Sequence, residues 1–186
     1  MGKPTLEALT TRGSPSDTNT LVNLNLLRKF LGAVPFQYAI TSAYRSPSYN
    51  QSIEGSSTSQ HPNGLAVDIV PNGMTNRELA TWFWIHQHSY PELDQVIWYS
   101  SSRHLHIGIC PPGGSGCLGG APRKDFYAAN TEGLGYSRWS PSQAEIAAVQ
   151  AKFPQGRPLP WGWILGGLSL AIALGTGGYI WYRRRQ

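Results

Sequence analysis

With 186 residues, 40% of them hydrophobic and only 13% charged, the chain has enough apolar matter for one compact domain plus an appendage, and too little charge for a disordered protein. Its formal net charge of +5 is concentrated at Arg183, Arg184 and Arg185. No basic stripe runs elsewhere, which argues against nucleic acid as a partner.

Residues 1–19 are polar and lack an apolar run, so no secretory signal peptide is expected. Residues 20–31 carry apolar side chains at near-helical spacing and predict a first helix. Phe36 to Tyr44 alternates and reads as a strand ending at Arg45-Ser46-Pro47, followed by a polar loop over residues 48–60. Leu65 to Val70 is a second strand, halted by Pro71-Asn72-Gly73. A helix follows over 75–89, with Thr75 as N-cap, Glu78 at the capping-box position, and Leu79, Trp82, Phe83 and Ile85 on its apolar face. Its His86 and His88 stand two apart, hence on opposite sides of a helix, and are expected to pack or face solvent rather than bind metal. Residues 94–99 and 105–109 are apolar strands paired through the Ser100–Arg103 turn.

The order of these elements predicts an α+β fold, a small antiparallel sheet with flanking helices. Residues 110–135 are rich in Gly and Pro and read as loop. Cys110 and Cys117, seven positions apart, are equally compatible with a disulfide and with two free thiols. A last helix starts near Ser140-Pro141 and runs through Val149, before a Pro-rich linker over 153–160. Residues 161–182 contain no charged residue, are long enough to span a bilayer, and have Trp161, Trp163, Tyr179, Trp181 and Tyr182 at their ends. A C-terminal transmembrane helix and a lipid bilayer as partner are therefore expected, with Gly166, Gly167, Gly175, Gly177 and Gly178 offering a route to a homo-oligomer. The positive-inside tendency puts the arginine tail in the cytoplasm and the domain on the periplasmic or external side, or in a virion membrane. The division is thus a polar segment (1–19), a folded domain (20–135), a helix and linker (136–160), a span (161–182) and a basic tail (183–186).

The chemistry concentrates in two places. His61 and Asp68 lie seven residues apart around Gly64, and His104 and His106 alternate on a strand so that both face one side. Two histidines and a carboxylate, with one position left for water, is the ligand set of a catalytic zinc site.

The stretches Ser42-Ala43-Tyr44-Arg45-Ser46, Ser59-x-His61-x-x-Gly64-x-Ala66-x-Asp68, Asp94-Gln95-Val96-Ile97 and Leu105-His106-Ile107 resemble the zinc D-Ala-D-Ala carboxypeptidase family, in particular its short peptidoglycan peptidases from phages. The resemblance covers roughly residues 20–110. It implies Zn2+ held by His61, Asp68 and His106, and cleavage of peptide bonds in peptidoglycan stem peptides or cross-bridges. Arg45 would hold a substrate carboxylate or the developing oxyanion, and His104 would donate to the tetrahedral intermediate. Many family members carry an acidic residue three positions before the last histidine ligand, where this chain has Arg103, and others place one where it has Tyr99. That departure leaves Asp94, the nearest carboxylate in sequence, and Tyr99 as the candidates for proton transfer. The expected function is a membrane-anchored zinc peptidase. The alternatives are a catalytically inactive cell-wall-binding or structural membrane protein of a phage virion, and a hedgehog-like recognition module.

Overall fold

A computed structural model describes residues 3–114, 117, 119–131 and 135–154. The predicted membrane span and the glycines proposed to pair it lie outside the described residues. Among the described residues, no helix is long and apolar enough to cross a membrane.

Among the described residues five α-helices, α1 (Leu6–Leu9), α2 (Thr18–Gly32), α3 (Pro47–Ser52), α4 (Asn76–His86) and α5 (Gln143–Lys152), accompany six strands, β1 (Tyr38–Ser42), β2 (Ala66–Pro71), β3 (Leu93–Tyr99), β4 (Leu105–Ile109), β5 (Asp125–Ala129) and β6 (Ser137–Arg138). The strands form one sheet in the order β1-β2-β4-β3-β5-β6. Every pairing is antiparallel except β3 with β5, so the sheet is mixed rather than antiparallel as the sequence pattern predicted. The correction comes from β5. Asp125-Phe126-Tyr127-Ala128-Ala129 has no clean alternation and sits in a Gly- and Pro-rich stretch. Its pairing partner, thirty residues upstream, is what makes it a strand.

Period-2 alternation divides the sheet into an apolar face and a chemical face. Val67 and Ile69 of β2, Val96 of β3, Leu105, Ile107 and Ile109 of β4 and Phe126 of β5 join the main core with Leu24, Leu27, Phe30 and Leu31 of α2 and Leu79, Trp82 and Phe83 of α4. Each such fully buried side chain contributes roughly 1.5–3 kcal/mol. Asp68, Gln95, Ile97, Tyr99 and His106, at the intervening positions, belong to the other face. Ile97, Tyr99 and Ala129 form a small second cluster there.

The capping box foreseen at Thr75 is present: Thr75 Oγ1 accepts from the Glu78 amide at 3.1 Å, and Glu78 Oε2 accepts from the Thr75 amide at 2.7 Å. Asn76, buried at the first turn of α4, donates to the carbonyls of Tyr99, Ser102 and His104 and so ties down the β3–β4 connection. His86 rests against Trp82, a packing role as expected.

The N-terminal segment, predicted to be polar and to precede the folded domain, is docked on it. Leu9 is fully buried in the core, and its carbonyl accepts from the Tyr44 amide at 2.9 Å. The 48–60 loop contains α3, capped by Ser46 with Pro47 in its first turn. Cys110 and Cys117 are joined in a disulfide.

Helix α5 buries Val149 in the same core and is clamped to α4 by two ion pairs, Arg77 to Glu145 at 2.6 Å and Lys152 to Glu78 at 2.8 Å. Hydrogen bonds from Ser142 and the Arg77 pair lower the Glu145 pKa, and at Glu78 burial raises the pKa but the Lys152 contact and the Thr75 hydrogen bonds together outweigh it. Carboxyls with depressed folded pKa values stabilise above their unfolded pKa and lose that contribution as pH falls through the folded value. Glu145→Ala should therefore cost about 1 kcal/mol at pH 7, a shift of roughly 2–4 °C in thermal unfolding, and the difference from wild type should shrink towards pH 3.

Candidate metal centre

Three elements deliver the candidate ligands. Asp68 is the third residue of β2 and stands opposite His106 of β4 in the antiparallel register. His61 opens a 3-10 turn (His61–Asn63) that Gly64 closes in the left-handed conformation at φ 69°. A Cβ at Gly64 would lie 3.0 Å from both Leu24 Cγ and the Thr20 carbonyl, so both the backbone conformation and the packing against α2 call for glycine. Asn23 Nδ2 fastens this turn to α2 by donating to the Asn63 carbonyl at 2.9 Å.

His61, Asp68 and His106 each offer a ligand atom, and these atoms lie within 4.8 Å of one another. His61 Nδ1 sits 2.5 Å from the Ala43 carbonyl, which can only accept. Nδ1 therefore carries the proton, and Nε2 presents its lone pair on the other side of the ring. That Nε2 is buried, makes no hydrogen bond, and lies 3.4 Å from Asp68 Oδ2. A buried acceptor without a donor, aimed at a carboxylate, is unfavourable for the protein alone and suited to a cation. His106 Nδ1 meets the other carboxylate oxygen at 2.9 Å. The donor set, two imidazoles and a carboxylate, matches a zinc site with a position left for water.

Arg45 arrives by a backbone irregularity. The β1–β2 register shifts between Ile40 and Ser42, so that Ser42 faces Asp68. Arg45 Nε donates to Ser42 Oγ at 2.9 Å and Nη2 donates to Asp68 Oδ2 at 2.6 Å, with the guanidinium itself largely buried. Arg45 and His106 donate to the two Asp68 oxygens, which offsets the cost of burying the charge.

The cluster opens into a cleft of about 500 Å³. Its floor is the chemical face of the sheet, with Gln95, Ile97, Tyr99 and His106. One wall is the 53–60 segment, with Ile53 and Glu54. The other is Arg123, Tyr127 and Tyr136.

Two expected residues stand elsewhere. Asp94 is fully buried, and its oxygens accept from the Arg123 amide, Nε and Nη2 and from Gln60 Nε2. An anion so enclosed holds structure together and is not a base for the cleft, so sequence proximity was the wrong guide. His104 does not join the metal cluster: its ring packs on Tyr99 at 4.7 Å and its Nδ1 pairs with Ser102 Oγ at 3.0 Å. It precedes the first paired residue of β4, where strand alternation no longer fixes its direction. Arg123, Tyr127 and Tyr136 carried no sequence signal, because only the β5 pairing brings them to the cleft.

The chain matches the Peptidase M15 family model over residues 6–108, a stretch that runs from α1 through β4 and contains all three candidate ligands. No curated protein matches the chain.

Two outcomes are expected of the centre. His61→Ala should weaken zinc binding by more than about 100-fold in a competition titration against a chromophoric chelator. Asp68→Ala removes the buried carboxylate to which Arg45 and His106 donate and should lower the metal-free protein's stability by roughly 3 kcal/mol in urea unfolding with chelator present.

Proposed function

The chain belongs to the peptidase M15 family, and on that premise we propose that it is a zinc-dependent peptidase that hydrolyses peptide bonds of bacterial peptidoglycan while anchored to a membrane. The observation that carries the metal assignment is His61 Nε2, buried, without a hydrogen-bond partner and facing the Asp68 carboxylate while the Ala43 carbonyl occupies Nδ1. The peptidoglycan substrate is supported by the likeness of the Ser59-to-Asp68 motif to D-Ala-D-Ala carboxypeptidases. The anchor is supported by the uncharged run over 161–182 and the arginines behind it.

His61, Asp68 and His106 would hold the ion. A bound zinc supplies Lewis acidity, polarising the scissile carbonyl and acidifying a water. The Ala43 carbonyl fixes the His61 ring, and Arg45 keeps Asp68 ionised and oriented while placing a positive charge beside a developing oxyanion. Tyr99 and Ile97 line the floor on which the substrate lies, and Ile53 and Tyr136 project from opposite walls as two of the more exposed large apolar groups. Among the described residues that line the cleft, Glu54 is the one carboxylate. It follows α3 at φ 54°, a left-handed position that usually takes glycine, which makes it the candidate to accept and return the proton.

Zinc-loaded full-length protein in detergent should release peptides from purified peptidoglycan. Chelator should abolish the release and added zinc restore it; bound zinc with no release would favour the inactive wall-binding alternative. Glu54→Gln should slow release roughly 10²- to 10⁴-fold while zinc content stays at the wild-type level.

A further inference from the structure

The residue beside His61 is tied into a buried network that the metal chemistry does not use. Gln60 is 5% exposed, and its carbonyl accepts from the amides of Asn63 at 3.2 Å and Leu65 at 3.1 Å, so it anchors both arms of the turn that carries His61. Its side-chain Nε2 donates to Asp94 Oδ2 at 3.0 Å and to the Ile109 carbonyl at 3.3 Å. Both partners are acceptors, which settles the amide orientation: the nitrogen must face them, and Oε1 must turn away. Oε1 then lies over Gly108, where a Cβ would come within 2.0 Å of it.

The other end of the network is equally specified. The β3–β4 register shifts between Leu93 and Gln95, leaving Asp94 as an extra residue in its strand. At that position the carboxylate meets Gln60 and is neutralised by Arg123 Nη2 at 2.7 Å, with the Arg123 amide adding a bond at 2.8 Å.

We propose that Gln60 is a positioning residue for the metal centre: the Asp94–Arg123 pair and the missing side chain at Gly108 together fix its amide, and the amide fixes the turn that aims His61. This rests on the metal-centre reading given above. Gly108 is two residues along β4 from His106, so the strand that supplies one ligand also makes room for the residue that sets the other.

The test is a double-mutant cycle read by metal binding rather than turnover. Zinc affinity of the full-length chain is measured by chelator competition, and bound cobalt(II) reports ligand geometry through its visible spectrum. Gln60→Ala and Gly108→Ala should each weaken zinc about 10-fold and alter the cobalt spectrum. The double variant should be no weaker than about 10-fold, since the two changes remove one device. Gln60→Ala leaves Asp94 paired with Arg123, and Gly108→Ala meets the tip of a flexible side chain, so both variants should keep the wild-type circular dichroism. Affinities within twofold of wild type and an unchanged cobalt spectrum in both single variants would overturn the inference while leaving the metal centre standing. A double variant weakened about 100-fold would show two independent roles and also overturn it. Wild-type protein that binds no zinc would defeat the metal-centre reading and the inference with it.

Discussion

The Asp68 carboxylate is the constraint around which the domain is arranged. It is buried, and an isolated anion there would cost several kcal/mol. Arg45 and His106 donate to it, and His61 approaches to 3.4 Å. These partners come from three separated segments: the end of β1, the turn before β2, and β4. Compensating one buried charge therefore fixes Arg45 and His106 around it, while His61 reaches the same carboxylate on a turn held by the Ala43 carbonyl rather than by the anion.

The sheet makes this arrangement compatible with a core. Alternation sends Val67 and Ile69 to the helices and Asp68 between them to the other face, just as Leu105 and Ile107 bracket His106. Regular alternation alone would not have placed the supporting residues. Two register irregularities do that, one bringing Ser42 opposite Asp68 where it holds Arg45, the other inserting Asp94 where it meets Gln60 and Arg123. Both lie on strands beside the centre, and each turns a side chain that a regular strand would aim elsewhere.

This explains which parts of the molecule were legible in the sequence. The helix over 75–89 was visible because its signals are local: Thr75 and Glu78 cap it, and its apolar stripe repeats at helical spacing. The His61–Gly64–Asp68 spacing was visible for the same reason, since turn and strand occupy eight consecutive residues. What escaped depends on distance along the chain. Asp125–Ala129 becomes a strand by pairing with β3, and the burial of Asp94 under Arg123 is a tertiary contact that sequence proximity does not show. Gln60 stands at an unspecified position of the motif, and its role depends on contacts with Asp94 and Ile109 far along the chain. His104 lies one residue outside the pairing that enforces strand alternation.

The same division separates the metal half of the cleft from its opposite wall. The candidate ligands and Arg45 fall within the stretch matched by the family model, which ends at Gly108. Arg123, Tyr127 and Tyr136 come after it and reach the cleft through the parallel β3–β5 pairing, for which the chain leaving β4 must pass the start of β3 to its far side. Such a return through a Gly- and Pro-rich segment is entropically unfavourable, and the Cys110–Cys117 disulfide offsets part of that cost by closing the first turns of the loop. Arg123 then closes the circuit from the far side by binding Asp94, and through Gln60 that contact returns to the turn carrying His61. Arg123, on the wall outside the matched stretch, is thus joined through Asp94 and Gln60 to the turn that carries His61, so a change in the loop after β4 has a buried ion pair, rather than the cleft, as its route to the candidate centre.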